Sequence, residues 1–511
     1  MEISWFYCFS FVPFLSLFIL SKLFLHYQKH SKKLPPSPFS IPIIGHLLLL
    51  KQPLHRTLQQ LSYKYGPIFS LKFGFRSAVV ISSPSAVEEC FTKNDTIFAN
   101  RPRFLVGKLL NYNFTTIGAA PYGPLWRNLR RLTTVEIFST ARLNMSADIR
   151  REEIKALVKD LYQLDSRRNF ILVEMRSRIS ELSFNIIMRM VAGKKYYGVE
   201  VEDYEEAMQF RDIIRELFAL SGASNTGDFL PFLQWFDFHG LEKKMLKLQV
   251  KSDEFLQGLI EGHRHKSTET YQLGERRNTM IGKMLALQDS EPEYYTDDII
   301  KGIILILLTA GTDTSSVTIE WALTLLLNHT EKLEKATKEL DQVIGEDRLA
   351  DESDIPKLPY LQNIVYETLR LFPAVPLLSP HESSDECIIG CYNVPRKTML
   401  LVNAWAMHRD PQLWDDPTSF KPERFEGLEV DAYKLKLIPF GLGRRSCPAA
   451  GLANRVVALT LATLLQCFDW RKISKEQIDM SEGEGLTMPK ATPLEAMCKV
   501  RGNMIKVLNN L

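Results

Sequence analysis

A single cysteine lies in a loop whose composition would activate its thiol. In PFGLGRRSCPAAGLA, Cys447 follows Gly441, Gly443, Arg444 and Arg445 and precedes a run that predicts a helix. A thiolate is stabilised at a helix N-terminus and beside cations. It would suit nucleophilic catalysis or ligation of iron, and an inert buried cysteine is the third interpretation. A nucleophile would need a base, and no histidine is near in the sequence.

A long apolar segment carries a second set of reactive side chains. The run from Thr296 to His329 has no proline and few polar residues, so it predicts one buried helix with Thr296 as its N-cap. In its middle, Ala310-Gly311-Thr312-Asp313-Thr314 brings a glycine and hydroxyl groups into the helix. This segment is either a packing notch for a crossing helix or an opening that admits a small ligand beside a hydroxyl and a carboxylate.

Three charged residues form a further constellation. Glu367 and Arg370 are three apart, so they share one face of a predicted helix, and FKPERF supplies Arg424. A surface ion pair would contribute well under about 1 kcal/mol. In an apolar setting, a three-way network would instead fix the local geometry.

Composition restricts the class of protein. The chain has 511 residues, is 45% hydrophobic and carries a net charge of +3, which argues against a nucleic-acid-binding protein. Its seven cysteines have no spacing typical of disulfides, which favours a reducing compartment. Cys387 and Cys391 could begin a zinc site, but no second pair of ligands completes it.

The chain organisation predicts an anchor, a hinge and one domain. The run from Ile3 to Ser21 is uncharged and lysines follow it, which indicates a single-pass membrane anchor over 1–28 with the rest in the cytosol. A buried core helix is the alternative. A basic, proline-rich hinge follows over 29–42, and 43–511 reads as a mainly α domain with a smaller β portion that includes IFSLKFG and SAVVIS.

Together these motifs resemble the cytochrome P450 family. Phe440, Gly443, Arg445 and Cys447 match its haem-binding loop. Glu367-x-x-Arg370, Pro422-Glu423-Arg424-Phe425 and the 310–314 segment match its other signatures in order, and the anchor and hinge resemble those of its microsomal members. The resemblance covers nearly the whole chain and implies the cytochrome P450 fold.

The resemblance also implies roles for particular residues. Cys447 would be the axial thiolate ligand of haem b iron, and Thr314 and Asp313 would be the pair that delivers protons to dioxygen. Glu367, Arg370 and Arg424 would be a structural triad. One departure concerns Ala449, where the family usually has glycine, so its methyl group could shift the haem. The haem-contacting residues implied besides Cys447 are Trp126, Arg130, His381, Phe440, Gly443 and Arg445.

The implied reaction is insertion of oxygen into a small hydrophobic substrate. Electrons would come from NADPH through a flavoprotein reductase that docks on the Cys447 side. The protein would be anchored in the lipid of the endoplasmic reticulum membrane with its catalytic domain in the cytosol, and no nucleic acid would be a partner. A haem-thiolate isomerase or dehydratase, and a non-catalytic haem sensor or scaffold, are rival interpretations that give no reason to keep Asp313 and Thr314.

The substrate class follows from a finer resemblance. LPPSP, SEPEYYTDDIIKG and NAWAMHRDPQLWDDP resemble plant microsomal members of the isoflavone hydroxylase and sesamin synthase-like group. The implied substrate is a flavonoid or isoflavonoid, lignan, terpenoid or alkaloid. Thr314 favours hydroxylation over closure of a methylenedioxy bridge. The expected pocket residues are Phe104, Leu110, Phe114, Ile306, Ala310, Val375, Leu378 and Leu486.

Overall fold

The residues that the structure describes begin within the expected hinge. The expected anchor over 1–28, and residues 29–32 of the expected hinge, lie outside them. The computed structural model describes residues 33–164, 169–198, 201, 204–221, 225–237, 240–267 and 279–511.

Helices are the commonest elements of the described chain, as the periodicity predicts. They are α1 Leu54–Tyr65, α2 Pro84–Phe91, α3 Leu105–Leu109, α4 Pro124–Leu132, α5 Thr140–Met145, α6 Ala147–Leu164, α7 Met175–Ala192, α8 Tyr204–Ser221, α9 Leu241–Ser267, α10 Met280–Ser290, α11 Asp297–Asn328, α12 Thr330–Val343, α13 Pro359–Leu371, α14 Ala404–Met407, α15 Ala450–Cys467 and α16 Ile505–Leu508. The predicted mainly α architecture is therefore confirmed.

The β portion is small and lies in three sheets. The strands are β1 Ile68–Phe73, β2 Arg76–Ile81, β3 Ile171–Glu174, β4 His381–Glu382, β5 Cys387–Ile389, β6 Tyr392–Val394, β7 Met399–Val402, β8 Phe468–Arg471 and β9 Glu495–Val500. The largest sheet has the order β1-β2-β7-β4, with β2 and β7 parallel and the other pairs antiparallel. The others have the orders β3-β9-β8 and β5-β6. The two predicted strand runs correspond to β1 and β2.

Helix α11 is the axis of the helical core. Thr296 caps it as predicted, because its Oγ1 accepts a hydrogen bond from the Ile299 N–H at 3.4 Å. It packs along α7 and crosses α15 and α13. A Cβ at Gly311 would lie 2.9 Å from Cδ1 of Ile187 on α7, so the glycine permits a close helix crossing. This crossing agrees with the packing interpretation, and the same glycine also lines the cavity described below.

Helices α11 and α15 are each long and apolar enough to cross a membrane by composition. Both are mostly buried among the other elements of the domain, with buried side chains around their circumference. A helix that is apolar on all sides is expected in the core of a large domain. Within the described residues, these two helices therefore belong to the core.

The Glu367 network is buried rather than on the surface. Glu367 and Arg370 are both 0% exposed and form a bidentate pair at 2.7 and 2.8 Å. Arg424 Nε donates to Glu367 Oε1 at 2.9 Å. The surface ion pair interpretation is therefore wrong, because the carboxylate sits between two guanidinium groups inside the protein.

This network reaches the cysteine loop through one histidine. Arg370 Nη1 donates to the carbonyl oxygen of His408 at 2.6 Å. His408 Nε2 in turn accepts a hydrogen bond from the Ile438 N–H at 3.0 Å, where the cysteine loop begins. Burial, with help from Arg370 and Arg409, lowers the pKa of His408 to about 3, so its Nε2 remains an acceptor at neutral pH. The triad of Glu367, Arg370 and Arg424 is therefore linked by hydrogen bonds, through His408, to the start of the cysteine loop.

We expect Glu367→Gln to destabilise the protein strongly. The amide would leave Arg370 and Arg424 buried without an anionic partner, and breaking a buried ion pair costs about 3–5 kcal/mol. Urea denaturation of the purified protein would measure this loss against Glu334→Gln, which changes an exposed glutamate on α12. Equal midpoints for the two variants would contradict the structural role of the triad.

Candidate active site

A cavity of about 320 Å³ lies between α11 and the cysteine loop. Ala310, Gly311 and Thr314 of α11 line one side, and Phe440 and Cys447 line the opposite side. Of the expected pocket residues, Ile306, Ala310, Val375 and Leu378 lie in its wall. No aspartate or glutamate is among the described residues that line it.

The cysteine loop holds Cys447 by backbone hydrogen bonds. The Cys447 N–H donates to the Phe440 carbonyl oxygen at 2.8 Å. The sulfur accepts a hydrogen bond from the Ala449 N–H, and the Cys447 side chain is exposed to the cavity that it lines. Burial raises the pKa of the Cys447 thiol, while the Ala449 N–H and Arg130 act in the opposite direction. The loop thus presents one sulfur to the cavity and supplies partners for its anionic form.

Gly443 and Ala449 are two positions of this loop at which the backbone conformation decides which residue types fit. Gly443 has φ of +70°, and a Cβ there would lie 2.6 Å from Oδ1 of Asp95, so only glycine fits. Ala449 has φ of −97° and ψ of 13°, a bridge-region conformation with negative φ that does not require glycine. The departure at Ala449 therefore leaves the loop backbone and its N–H bond to the sulfur in place, and adds one methyl group to the cavity wall.

Cations gather on one wall of the cavity. Within the described chain, Arg445 donates to the carbonyl oxygens of Ala99, Ile117 and Ala120, and Arg130 donates to the carbonyl and hydroxyl oxygens of Ser446. Burial, together with the charges of Arg101 and Arg130, lowers the pKa of Arg445 to about 9. Each guanidinium is still charged at neutral pH.

His381 and Trp126 complete this wall. Burial, with Arg101 and Arg445, holds the pKa of His381 well below its usual range, and its Nδ1 lies 2.7 Å from the Phe98 carbonyl oxygen. The Trp126 Nε1–H donates to the Ile117 carbonyl oxygen at 3.2 Å, and the Arg445 guanidinium stacks 4.3 Å from the centre of the indole. The structure therefore brings the expected Trp126, Arg130, His381 and Arg445 together.

Arg101 belongs to the same wall, although the sequence analysis missed it. Its Nη1 donates to the carbonyl oxygens of Ser379 and Pro380, whereas its Nε is buried without a hydrogen-bond partner in the described chain. Burial lowers the pKa of Arg101 to about 10. Its only signal in the sequence is a basic residue in NRPRF, which does not distinguish a buried arginine from a surface one.

The chemistry of this wall fits a ligand that carries carboxylates. Buried charges are costly unless they are paired, and Arg101, Arg130 and Arg445 bind only carbonyl or hydroxyl oxygens of the described residues. A group with two carboxylates near this wall and a metal ion near the Cys447 sulfur would satisfy both features. Haem b, with two propionates and an iron that binds thiolate, has this combination.

Thr314 and Asp313 face in different directions. Thr314 lines the cavity, and its Oγ1 donates to the Ala310 carbonyl oxygen at 2.8 Å. The Asp313 carboxylate turns away from the cavity and accepts a hydrogen bond from Thr487 Oγ1 at 2.6 Å. Burial raises the pKa of Asp313, against the opposing effects of Thr487 and Arg176. Thr487 is thus a second polar residue of the site that the sequence did not indicate as a partner of Asp313.

Four expected pocket residues do not line this cavity. Phe104 packs on Phe229, Leu110 is in the main core, Phe114 covers Gly107, and Leu486 is 55% exposed. The cause in the first three is the path of the 104–120 loop, because Tyr112, Asn113 and Phe114 all have positive φ and turn the chain in a way that the sequence pattern does not predict. Leu486 lies in an exposed turn.

Another hollow of about 400 Å³ lies on the surface between α6, α15 and α16. Two of its arginines already pair, Arg348 with Asp354 at 2.6 Å and Arg151 with Asp351 at 3.6 Å. It contains none of the expected site residues. The cavity at Cys447 is therefore the candidate active site.

Comparison with known proteins agrees with this site. The family model of cytochrome P450 matches residues 35–495. The chain is 53% identical over 500 residues to a (+)-piperitol/(+)-sesamin synthase of Sesamum radiatum, covering 97% of each chain. It is 53% identical over 499 residues to an isoflavone 2'-hydroxylase of Glycyrrhiza echinata, also covering 97% of each chain.

A solved structure of zebra fish cytochrome P450 with progesterone has the same fold. It superimposes with a TM-score of 0.75 at 26% identity, over 88% of this chain and 100% of that one. The chain belongs to the cytochrome P450 family. It is a haem-thiolate monooxygenase, an oxidoreductase that uses dioxygen, a small substrate and electrons from a reductase.

We expect Arg445→Gln to weaken haem binding by about tenfold or more, because a hydrogen bond to a charged group contributes about 1.5–3 kcal/mol. The matched control is Arg444→Gln, since Arg444 pairs instead with Asp95 at 2.8 Å and should change haem affinity by less than about twofold. Haem titration of the two apoproteins, followed by absorbance, measures the difference. Equal losses would show that Arg445 has no special part in holding the haem.

Proposed function

We propose that this protein hydroxylates a hydrophobic plant specialised metabolite, of the flavonoid or isoflavonoid, lignan, terpenoid or alkaloid class, with dioxygen and electrons from NADPH. The observation that carries the proposal is the position of Thr314 in the cavity wall beside the apolar side chains of Ile303, Ile306, Val375 and Leu378. Such a wall suits a flat or polycyclic apolar molecule. The names of the isoflavone hydroxylase and sesamin synthase relatives support this substrate class.

In this proposal the cysteine side of the cavity holds the cofactor. When bound, the haem supplies reductive activation of dioxygen and insertion of one oxygen atom into the substrate, with the other oxygen leaving as water. Cys447 is the thiolate ligand, held by the bonds of Phe440 and Ala449. Arg130, Arg445 and His381 bind the propionates, and Trp126 orients Arg445 by stacking. Gly443 allows the loop to pack on Asp95.

The opposite side of the cavity, formed by α11, carries the residues that transfer protons in this proposal. Thr314 Oγ1 can release the Ala310 carbonyl oxygen and donate into the cavity, where its lone pairs can also accept a proton. Asp313 is the acid that restores the proton at Thr314 through water. Its raised pKa brings it closer to the pH at which a carboxyl group both gives up and regains a proton readily. The triad of Glu367, Arg370 and Arg424 takes no part in the chemistry.

Oxidative ring closure is the second candidate function. The 53% identity to a (+)-piperitol/(+)-sesamin synthase favours it. The same cavity and cofactor would serve both outcomes, because the difference lies in whether the oxidised carbon is captured by oxygen from the cofactor or by a neighbouring hydroxyl of the substrate. Thr314 in the cavity wall favours hydroxylation.

The location and partners follow from the chain organisation. In this proposal 1–28 is a single-pass anchor in the endoplasmic reticulum membrane, 29–42 is a hinge, and 43–511 is the cytosolic monooxygenase domain. An NADPH-dependent flavoprotein reductase docks near α4, where Arg127 and Arg131 are exposed while Arg130 reaches Ser446 of the cysteine loop. An acidic partner surface would complement these cations, with affinity reduced by salt.

Turnover separates the two candidate functions. With reductase and NADPH, we expect an isoflavone or lignan substrate to gain one oxygen atom, whereas ring closure would remove two hydrogen atoms, and mass spectrometry distinguishes these products.

We expect Thr314→Ala to lower the product formed per NADPH by about tenfold or more, because proton donors contribute about 10²–10⁴-fold to such steps. No product from any of these substrate classes, despite a thiolate-type carbon monoxide spectrum, would contradict the proposed substrates.

The anchor is tested by removal. We expect the protein that starts at Lys29 to shift from the membrane pellet to the soluble fraction, since about 20 apolar residues are lost. The control is the full chain fractionated in the same high-salt buffer, which removes surface electrostatic attachment. Unchanged pelleting of the shortened protein would mean that other surfaces hold it to the membrane.

A further inference from the structure

The Asp313 carboxylate has one direct side-chain partner in the described structure, the hydroxyl of Thr487 at 2.6 Å. The two residues are far apart in sequence and meet where the 481–490 segment passes the middle of α11. In the proposed function, the Asp313 carboxylate supplies protons to Thr314, which is its neighbour in sequence and faces the cavity. Its orientation is therefore controlled from outside the α11 helix.

Charged groups near Asp313 are committed to other partners. Arg176, at the start of α7, pairs with Glu320 at 3.1 Å and donates to the Lys490 carbonyl oxygen at 2.8 Å. The Lys490 ammonium donates to the Asp479 carbonyl oxygen. Arg176 stabilises the anionic form of Asp313 at a distance, but no guanidinium or ammonium group of the described residues binds this carboxylate directly. The hydroxyl of Thr487 is thus the group that fixes its direction.

The residue after Thr487 connects the substrate wall to α11. The Met488 N–H donates to the carbonyl oxygen of Ala374, which lines the cavity beside Val375, at 2.9 Å. The Trp321 Nε1–H of α11 donates to the Met488 carbonyl oxygen at 2.8 Å. The Ala374 wall is therefore hydrogen-bonded to the backbone that carries Thr487.

We propose that Thr487 is a positioning residue for proton supply, whose hydrogen bond orients the Asp313 carboxylate and ties it to the substrate wall at Ala374. The inference rests on the proposed proton-delivery role of Asp313 and Thr314. Substrate that presses on the Ala374–Val375 wall would adjust the Met488 backbone, and with it the partner of Asp313. Thr487 touches neither the substrate nor the haem in this role.

The test compares Thr487→Val with Thr487→Ser in the full-length holoenzyme with reductase, NADPH and an accepted substrate. We expect valine to lower the product formed per NADPH by about tenfold, because a hydrogen bond to a charged group is lost, and serine to restore it to within about twofold. The matched control is Thr492→Val, an exposed threonine of the same segment, which should behave as wild type.

A second readout does not depend on turnover. Infrared difference spectra over a pH series would identify the carbonyl stretch of protonated Asp313 as the band missing in Asp313→Asn. Since the Thr487 bond favours the ionised form, we expect this band to persist to higher pH in Thr487→Val than in wild type. A role of Thr487 that is confined to the 481–490 segment, without its bond to Asp313, would leave the pH dependence of this band unchanged. Thr487→Ala serves as the second variant if the valine protein does not load haem.

The outcomes distinguish the proton-delivery role of Asp313 and Thr314 from the positioning role of Thr487. A wild-type yield of product per NADPH, here called coupling, in Asp313→Asn would overturn the proton-delivery role itself. Uncoupling in Asp313→Asn, with wild-type coupling and an unmoved band in Thr487→Val, would overturn only the positioning role of Thr487. Uncoupling in Thr487→Val with rescue by serine and a shifted band supports the inference.

Discussion

The site depends on the burial of positive charge that the protein itself does not neutralise. Arg101, Arg130 and Arg445 reach one wall of the cavity and bind only carbonyl and hydroxyl oxygens within the described chain. Keeping cations in such a place costs free energy that a bound dianion recovers. The fold therefore has to be rigid around this wall, and binding of the haem is expected to contribute to the stability of the domain.

That rigidity comes from elements behind the cysteine loop. The Glu367 carboxylate joins α13 to the segment containing Arg424, and His408 passes the connection to Ile438 at the start of the loop. A buried network of this kind is a poor source of net stability but specifies one geometry, because every alternative leaves a charge unpaired. The sulfur of Cys447 is consequently positioned by charged groups that it never touches.

The parts predictable from sequence are those with local signals. The Thr296 cap and the unbroken apolar run define α11 within one residue at each end, and the spacing of Glu367 and Arg370 places both on one face. The cysteine loop was recognisable because glycine and cysteine positions have few substitutes. The path of the 104–120 loop was not predictable, since three consecutive residues with positive φ depend on tertiary contacts. The contacts of Arg101 and Thr487 in the described chain are with residues distant in sequence, so no local pattern indicates them.

Helix geometry also explains why Asp313 and Thr314 cannot share one face. Consecutive residues of an α-helix point about 100° apart, so a hydroxyl directed into the cavity leaves the preceding carboxylate directed sideways. Any proton passed from Asp313 to Thr314 must therefore travel around the helix rather than along it. Helix α7 packs closely at Gly311, whereas the Asp313 carboxylate is hydrogen-bonded on the side of α11 where Thr487 lies. Under the proposed function, a proton supplied by Asp313 would therefore reach Thr314 around the side of α11 on which Thr487 lies.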